Sequence, residues 1–101
     1  MAVNMVVRRK GDYEDPRLAR LREQCVPLLK KYGAVAHSFG YYHSGAHAGQ
    51  IFIVITYPDL ATHARAWQGM AGDADWTRVV GEIEQIAPLQ ESYLTVVTEE
   101  R

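Results

Sequence analysis

Four things are scarce in this chain, and each scarcity closes off a class of protein. There is one cysteine, Cys25, in 101 residues, so no internal disulfide can form and a reducing, cytoplasmic setting is expected. A formal net charge of −1 leaves no basic face for phosphate neutralisation, which argues against a nucleic-acid partner. Arg8-Arg9-Lys10 is the one basic run and reads as a strand end reaching solvent. No apolar run approaches the ~20 residues that span a bilayer, and Met1-Ala2-Val3-Asn4-Met5 lacks a signal-peptide layout, so no membrane association is expected. Nucleophile motifs, phosphate loops and nucleotide fingerprints are also missing. What remains is the balance of one ordinary globular domain over residues 1–101, 48% hydrophobic and 23% charged.

The apolar pattern predicts seven elements. Residues 2–9 read as a strand in which Val3, Met5 and Val7 alternate with Asn4, Val6 and Arg8. Asp15 and Pro16 suit the N-cap and first position of a helix that buries Leu18, Leu21, Cys25, Leu28, Leu29 and Tyr32 and turns Arg17, Arg20 and Arg22 to water. Pro27 should kink it, and Gly33 should stop it in a left-handed conformation. Residues 34–44 form a second strand, with a turn at 44–49 leading to a third from Gln50 to Tyr57. A helix after Pro58-Asp59 carries Leu60, His63, Ala64, Trp67, Met70 and Ala71 inward. Gly72 breaks it, Asp73 caps a further helix with Trp76, Val79, Val80, Ile83 and Ile86, and Pro88 precedes a last strand, Leu89 to Thr98.

That order is α+β: a ferredoxin-like β-α-β-β-α-β unit with an antiparallel sheet and its second helix broken in two. Strand three is apolar on both faces, Ile51, Ile53 and Ile55 against Phe52 and Val54. Helices cover one face only, so the other is expected to close on a second copy as a homodimer.

Trp67 and Trp76 bracket a small-residue junction, Gln68 to Asp75, and two indoles on successive short helices can wall a flat apolar cavity. His37, Tyr41 and His43 alternate along the second strand and could form a base–phenol group or an interface. His43 and His47 flank the turn without a convergent Cys, Asp or Glu, so no metal site is expected. Cys25, on the buried stripe, reads as a small core residue.

In this element order, with Asn4 on the first strand and Trp67 in Ala64-Arg65-Ala66-Trp67, the chain resembles the dimeric α+β barrel superfamily. Asn4 and Trp67 look like the strand-one Asn and the helix Trp of its antibiotic-biosynthesis-type and heme-degrading monooxygenases. Met70-Ala71-Gly72-Asp73-Ala74-Asp75-Trp76 is similar to a stretch of its NIPSNAP-type branch. Heme-degrading members place a His nine or ten residues after the Trp, where this chain has Trp76 and Thr77, so heme is not expected. The resemblance implies a cofactor-independent monooxygenase acting on an aromatic or polyketide-like compound, or a non-catalytic NIPSNAP-like or stress-responsive dimer. Asn4, Trp67 and His63 would carry the catalysis, with Asn4 orienting a substrate oxygen, Trp67 as wall and His63 as proton acceptor. Val6, Leu21, Cys25, Met70, Trp76 and Val80 would line the rest of a pocket for a small apolar or aromatic ligand.

Overall fold

Strict alternation makes β1 (Val3–Arg9) two-sided: Val3, Met5 and Val7 are buried, while Asn4, Val6 and Arg8 are half-buried on the reverse face. The computed structural model describes residues 2–100. Helix α1 (Pro16–Lys31) starts as its sequence requires, with Pro16 in the first turn and the Asp15 carboxylate accepting the Arg17 N–H at 2.9 Å. The helix runs through Pro27 to Lys31. The ring removes the donor that the Glu23 carbonyl would use, but both residues are exposed, so that carbonyl is open to solvent. Gly33 follows with φ 97°, the left-handed stop.

Strand β2 (Ala36–Tyr41) is shorter than the sequence suggests. Beyond Tyr41 the hairpin turns early, with Gly45 and Gly49 at positive φ and the Gly49 N–H donating to the Tyr42 carbonyl at 2.8 Å. His43 therefore lies in the turn, off the strand face that carries His37 and Tyr41. Strand β3 (Ile51–Tyr57), helix α2 (Leu60–Ala71), helix α3 (Ala74–Ile86) and strand β4 (Leu89–Val96) complete the chain. The sheet order is β2-β3-β1-β4, antiparallel throughout, with Met5 between Ile55 and Leu94. This is the ferredoxin-like α+β arrangement, with its second helix split in two.

All three helices pack on the face that carries Met5, Val7, Ile55 and Tyr57, where Leu29, Ala66 and Met70 meet them. Helix α2 turns His63 and Met70 inward as expected, but Ala66 takes the place of the other expected residues. His63, Ala66 and Met70 are buried, whereas Leu60, Ala64 and Ala71 are exposed and Trp67 remains 45% accessible. The small Ala66 lets the helix approach closely along that line, which moves Trp67 to the edge.

Asp73 pins the junction between the helices. Its side chain accepts the Asp75 and Trp76 N–H groups as the cap of α3, and its Oδ2 also accepts from the Tyr32 hydroxyl at 2.5 Å and Lys31 Nζ at 3.1 Å. These donors, the Tyr32 hydroxyl foremost, hold its carboxyl well below the usual carboxylate range. Gly69 is needed beside them, because a Cβ there would collide with the Tyr32 ring.

The reverse sheet face, with Val6, Phe52 and Val54 half-buried and Tyr93 43% accessible, has no helix over it. Every residue of β4 is exposed. Among the described residues no helix is long and apolar enough to cross a membrane.

Candidate functional site

The core on the helix side is divided. One cluster gathers around Leu29, a second joins Leu18, Ile51 and Ala87, and a third joins Leu21, Cys25 and Val79. Between them lies a cavity of about 550 Å³, within the size range of small-molecule sites. Its floor is the sheet: Met5 and Val7 of β1, Phe39 of β2, and Ile51, Ile53, Ile55 and Tyr57 of β3. Its roof is Trp76, Val80 and Ile83 of α3 with Leu18 and Cys25 of α1, and Trp67 and Met70 of α2 close one end. Trp76, Val80 and Ile83 are half-buried and border the cavity, Trp76 and Ile83 also packing against the neighbouring clusters.

Of the residues expected to line a pocket, Cys25, Trp67, Met70, Trp76 and Val80 are brought together here. Four are not. Asn4 and Val6 sit at even positions of β1 and face the open side of the sheet, where the Thr56 hydroxyl donates to Asn4 Oδ1 at 2.7 Å. Leu21 points into the third cluster behind the wall. His63 is buried on α2 outside the cavity, and the Trp67 indole N–H donates to its Nε2 at 2.6 Å. Asn4 and Trp67 thus lie on opposite sides of the sheet and cannot act on one ligand in this subunit.

The indole bond commits the His63 lone pair, so its neutral ring carries the proton on Nδ1. Burial pushes its pKa down and keeps it neutral. With the edge of Tyr57 against it, at 5.3 Å between ring centroids, His63 serves to fix the indole. Cys25 is also inert: desolvation raises its thiol to about 11. His37 packs on Phe39 and Tyr41 on Tyr13, as separate ring pairs. Among the described residues no group of three or more His, Cys, Asp or Glu could hold a metal ion.

Charge enters the cavity at the end away from Trp67, through Arg9, Glu84 and Arg22. Arg9 was expected at a solvated strand end. It is instead largely buried, its Nη1 donating to Glu84 Oε2 at 2.6 Å and to the Ala87 carbonyl at 3.0 Å. Glu84 also accepts the Leu89 N–H, and the Arg9 guanidinium, more than that N–H, holds its carboxyl below the usual range. Arg22, expected in water, stacks over the Tyr13 ring at 4.2 Å and donates to the Tyr13 carbonyl at 3.3 Å. Both placements carry a sequence signal. Arg9 shares the odd parity of Val3, Met5 and Val7, and Arg22 lies one helical turn from Leu18 and Cys25.

No protein-family profile matches this chain, and no curated protein matches it significantly. Solved structures do match in fold. A NIPSNAP family protein from Agrobacterium tumefaciens superposes with a TM-score of 0.74 at 13% identity, over 98% of this chain and 95% of that one. An uncharacterized NIPSNAP domain protein from Burkholderia xenovorans gives 0.75 at 20% identity, over 97% and 95%. SnoaB, a cofactor-independent oxygenase from Streptomyces nogalater, gives 0.64 at 12% identity, over 98% and 95%. These neighbours correspond to the two branches that the residue-level resemblance names. The chain has the ferredoxin-like α+β fold shared by these NIPSNAP proteins and this oxygenase.

Proposed function

We propose that this protein binds a flat aromatic or polyketide-like molecule in the cavity beneath α3 and oxygenates it without a cofactor. The observation that carries the reading is the cavity: about 550 Å³, walled by Trp67, Trp76, Phe39 and Tyr57, with charge confined to one end. Planar walls favour a planar ligand, and burial of apolar surface contributes about 25 cal/mol per Å². The fold shared with SnoaB supports the oxygenase reading.

In such chemistry the substrate supplies the electrons. A carbanion adds to dioxygen and the peroxide loses water, so that CH₂ and O₂ become C=O and H₂O. The protein contributes a dry site, a fixed orientation and stabilisation of negative charge. Trp67, Met70, Trp76, Val80 and Cys25 hold the ligand, and His63 holds Trp67. Two hydrogen bonds favour a second reading, a ligand-binding protein without turnover: the His63 lone pair is taken by Trp67, and the Glu84 carboxylate by Arg9. Titration with a panel of quinols and flat polyphenols, read by tryptophan quenching, followed by oxygen uptake, separates the two. Saturable quenching with uptake supports the oxygenase. Quenching without uptake supports binding alone, and no quenching contradicts both.

We further infer a homodimer formed through the open sheet face, where Val6, Phe52, Val54 and Tyr93 remain partly accessible in the single chain. The lone, protonated Cys25 suits a reducing cytoplasm. Sedimentation at micromolar concentration is expected to give twice the 11.4 kDa chain mass. A stable monomer under those conditions contradicts the dimer.

A further inference from the structure

The charges that line the cavity do not cancel. Arg9 is matched by Glu84 at 2.6 Å, whereas among the described residues the partners of Arg22 are uncharged, the carbonyl and the ring of Tyr13. Arg8, Arg17 and Arg78 pair with Glu91 at 3.6 Å, Asp15 at 2.7 Å and Glu82 at 3.8 Å, whereas Arg65 bonds the Thr62 hydroxyl; what sets Arg22 apart is its place in the cavity lining. Two guanidiniums and one carboxylate in the lining therefore leave one positive charge without an acidic partner at the end of a largely apolar cavity. Resting on the ligand-binding reading above, we infer that the cavity selects an aromatic anion, and that Arg22 recognises its carboxylate or phenolate oxygen.

The geometry suits that role. Stacking on Tyr13 fixes the plane of the guanidinium, and the Tyr13 carbonyl takes one of its five N–H donors. The remaining donors form a fork matched to an anionic oxygen. A ring system lying between Trp76 and the sheet would carry its oxyanion toward Arg22. For a phenolate conjugated with the reacting carbon, the same arrangement compensates for the missing free base, because ionisation has already removed the proton whose loss makes that carbon nucleophilic; a carboxylate would be bound without meeting that need.

Two probes of nearly equal size test this: 9-anthracenecarboxylate and 9-anthracenemethanol, titrated against the full chain by tryptophan quenching. Wild type is expected to bind the carboxylate at least about 10-fold more tightly than the alcohol, the size of one charge-assisted contact. Arg22→Gln should bring the two within about 2-fold, chiefly by weakening the carboxylate. Arg22→Lys should restore part of the preference, and Arg17→Gln, on the exposed side of α1, should keep all of it. Equal binding of both probes to wild type, or a preference that survives Arg22→Gln, overturns the inference and leaves the cavity reading standing. Binding of neither probe overturns both.

Discussion

Leu29→Ala is expected to destabilise the protein by about 2–5 kcal/mol without changing the ligand affinity of the molecules that remain folded. Leu29 is fully buried, at 0% exposure, and packs in the cluster that joins β1, β3 and α2 to its own helix. Truncation there removes transfer free energy and leaves a void that four elements must collapse together to fill. Against the ~5–15 kcal/mol total of a small domain this is a large fraction. Leu29 does not line the cavity, so binding should be unaffected. Denaturant unfolding checks the first part, and a loss below about 1 kcal/mol contradicts the packing described.

Trp76→Ala should damage stability and binding together. The indole touches both the Leu29 cluster and the Leu21–Cys25–Val79 cluster, and it forms part of the cavity roof. Because it is half-buried, the expected loss is about 2–3 kcal/mol, below the ~3–5 kcal/mol of a fully buried tryptophan. Removing a planar wall should also weaken an aromatic ligand by about 10-fold or more. The two substitutions thus distinguish a wall from a brace. If Trp76→Ala costs stability but leaves affinity intact, Trp76 only braces the helix junction.

Local signals in the sequence translated well, because the forces behind them are local. Asp15-Pro16 starts α1, Gly33 stops it and Asp73 caps α3, each through atoms within a few residues. The element order and the sheet followed from alternation and turn residues. The site was harder because it depends on which face each element shows the others. Asn4 was paired with Trp67 on resemblance, yet its even position beside Val6 and Arg8 already placed it away from Met5 and Val7. Charge alone places Arg9 and Arg22 in solvent. An arginine can bury its stem and present its head to a cavity, and both positions carried the spacing of the buried stripe. Hydrophobicity gave only part of the inward face of α2: His63 and Met70 are buried, but Ala66 lies inward where Trp67 is the larger apolar candidate.

The cavity as a ligand site is tested most directly by filling it from the protein side. Val80 is half-buried on α3 and faces the space, so Val80→Phe places a ring where the ligand is expected while leaving the main cluster untouched. Titrated with 9-anthracenemethanol, wild type should show saturable quenching of Trp67 and Trp76 with one ligand per chain. Val80→Phe should keep a cooperative unfolding transition and lose that binding. Equal affinity in the two proteins, with the variant folded, would place the ligand elsewhere and contradict the account.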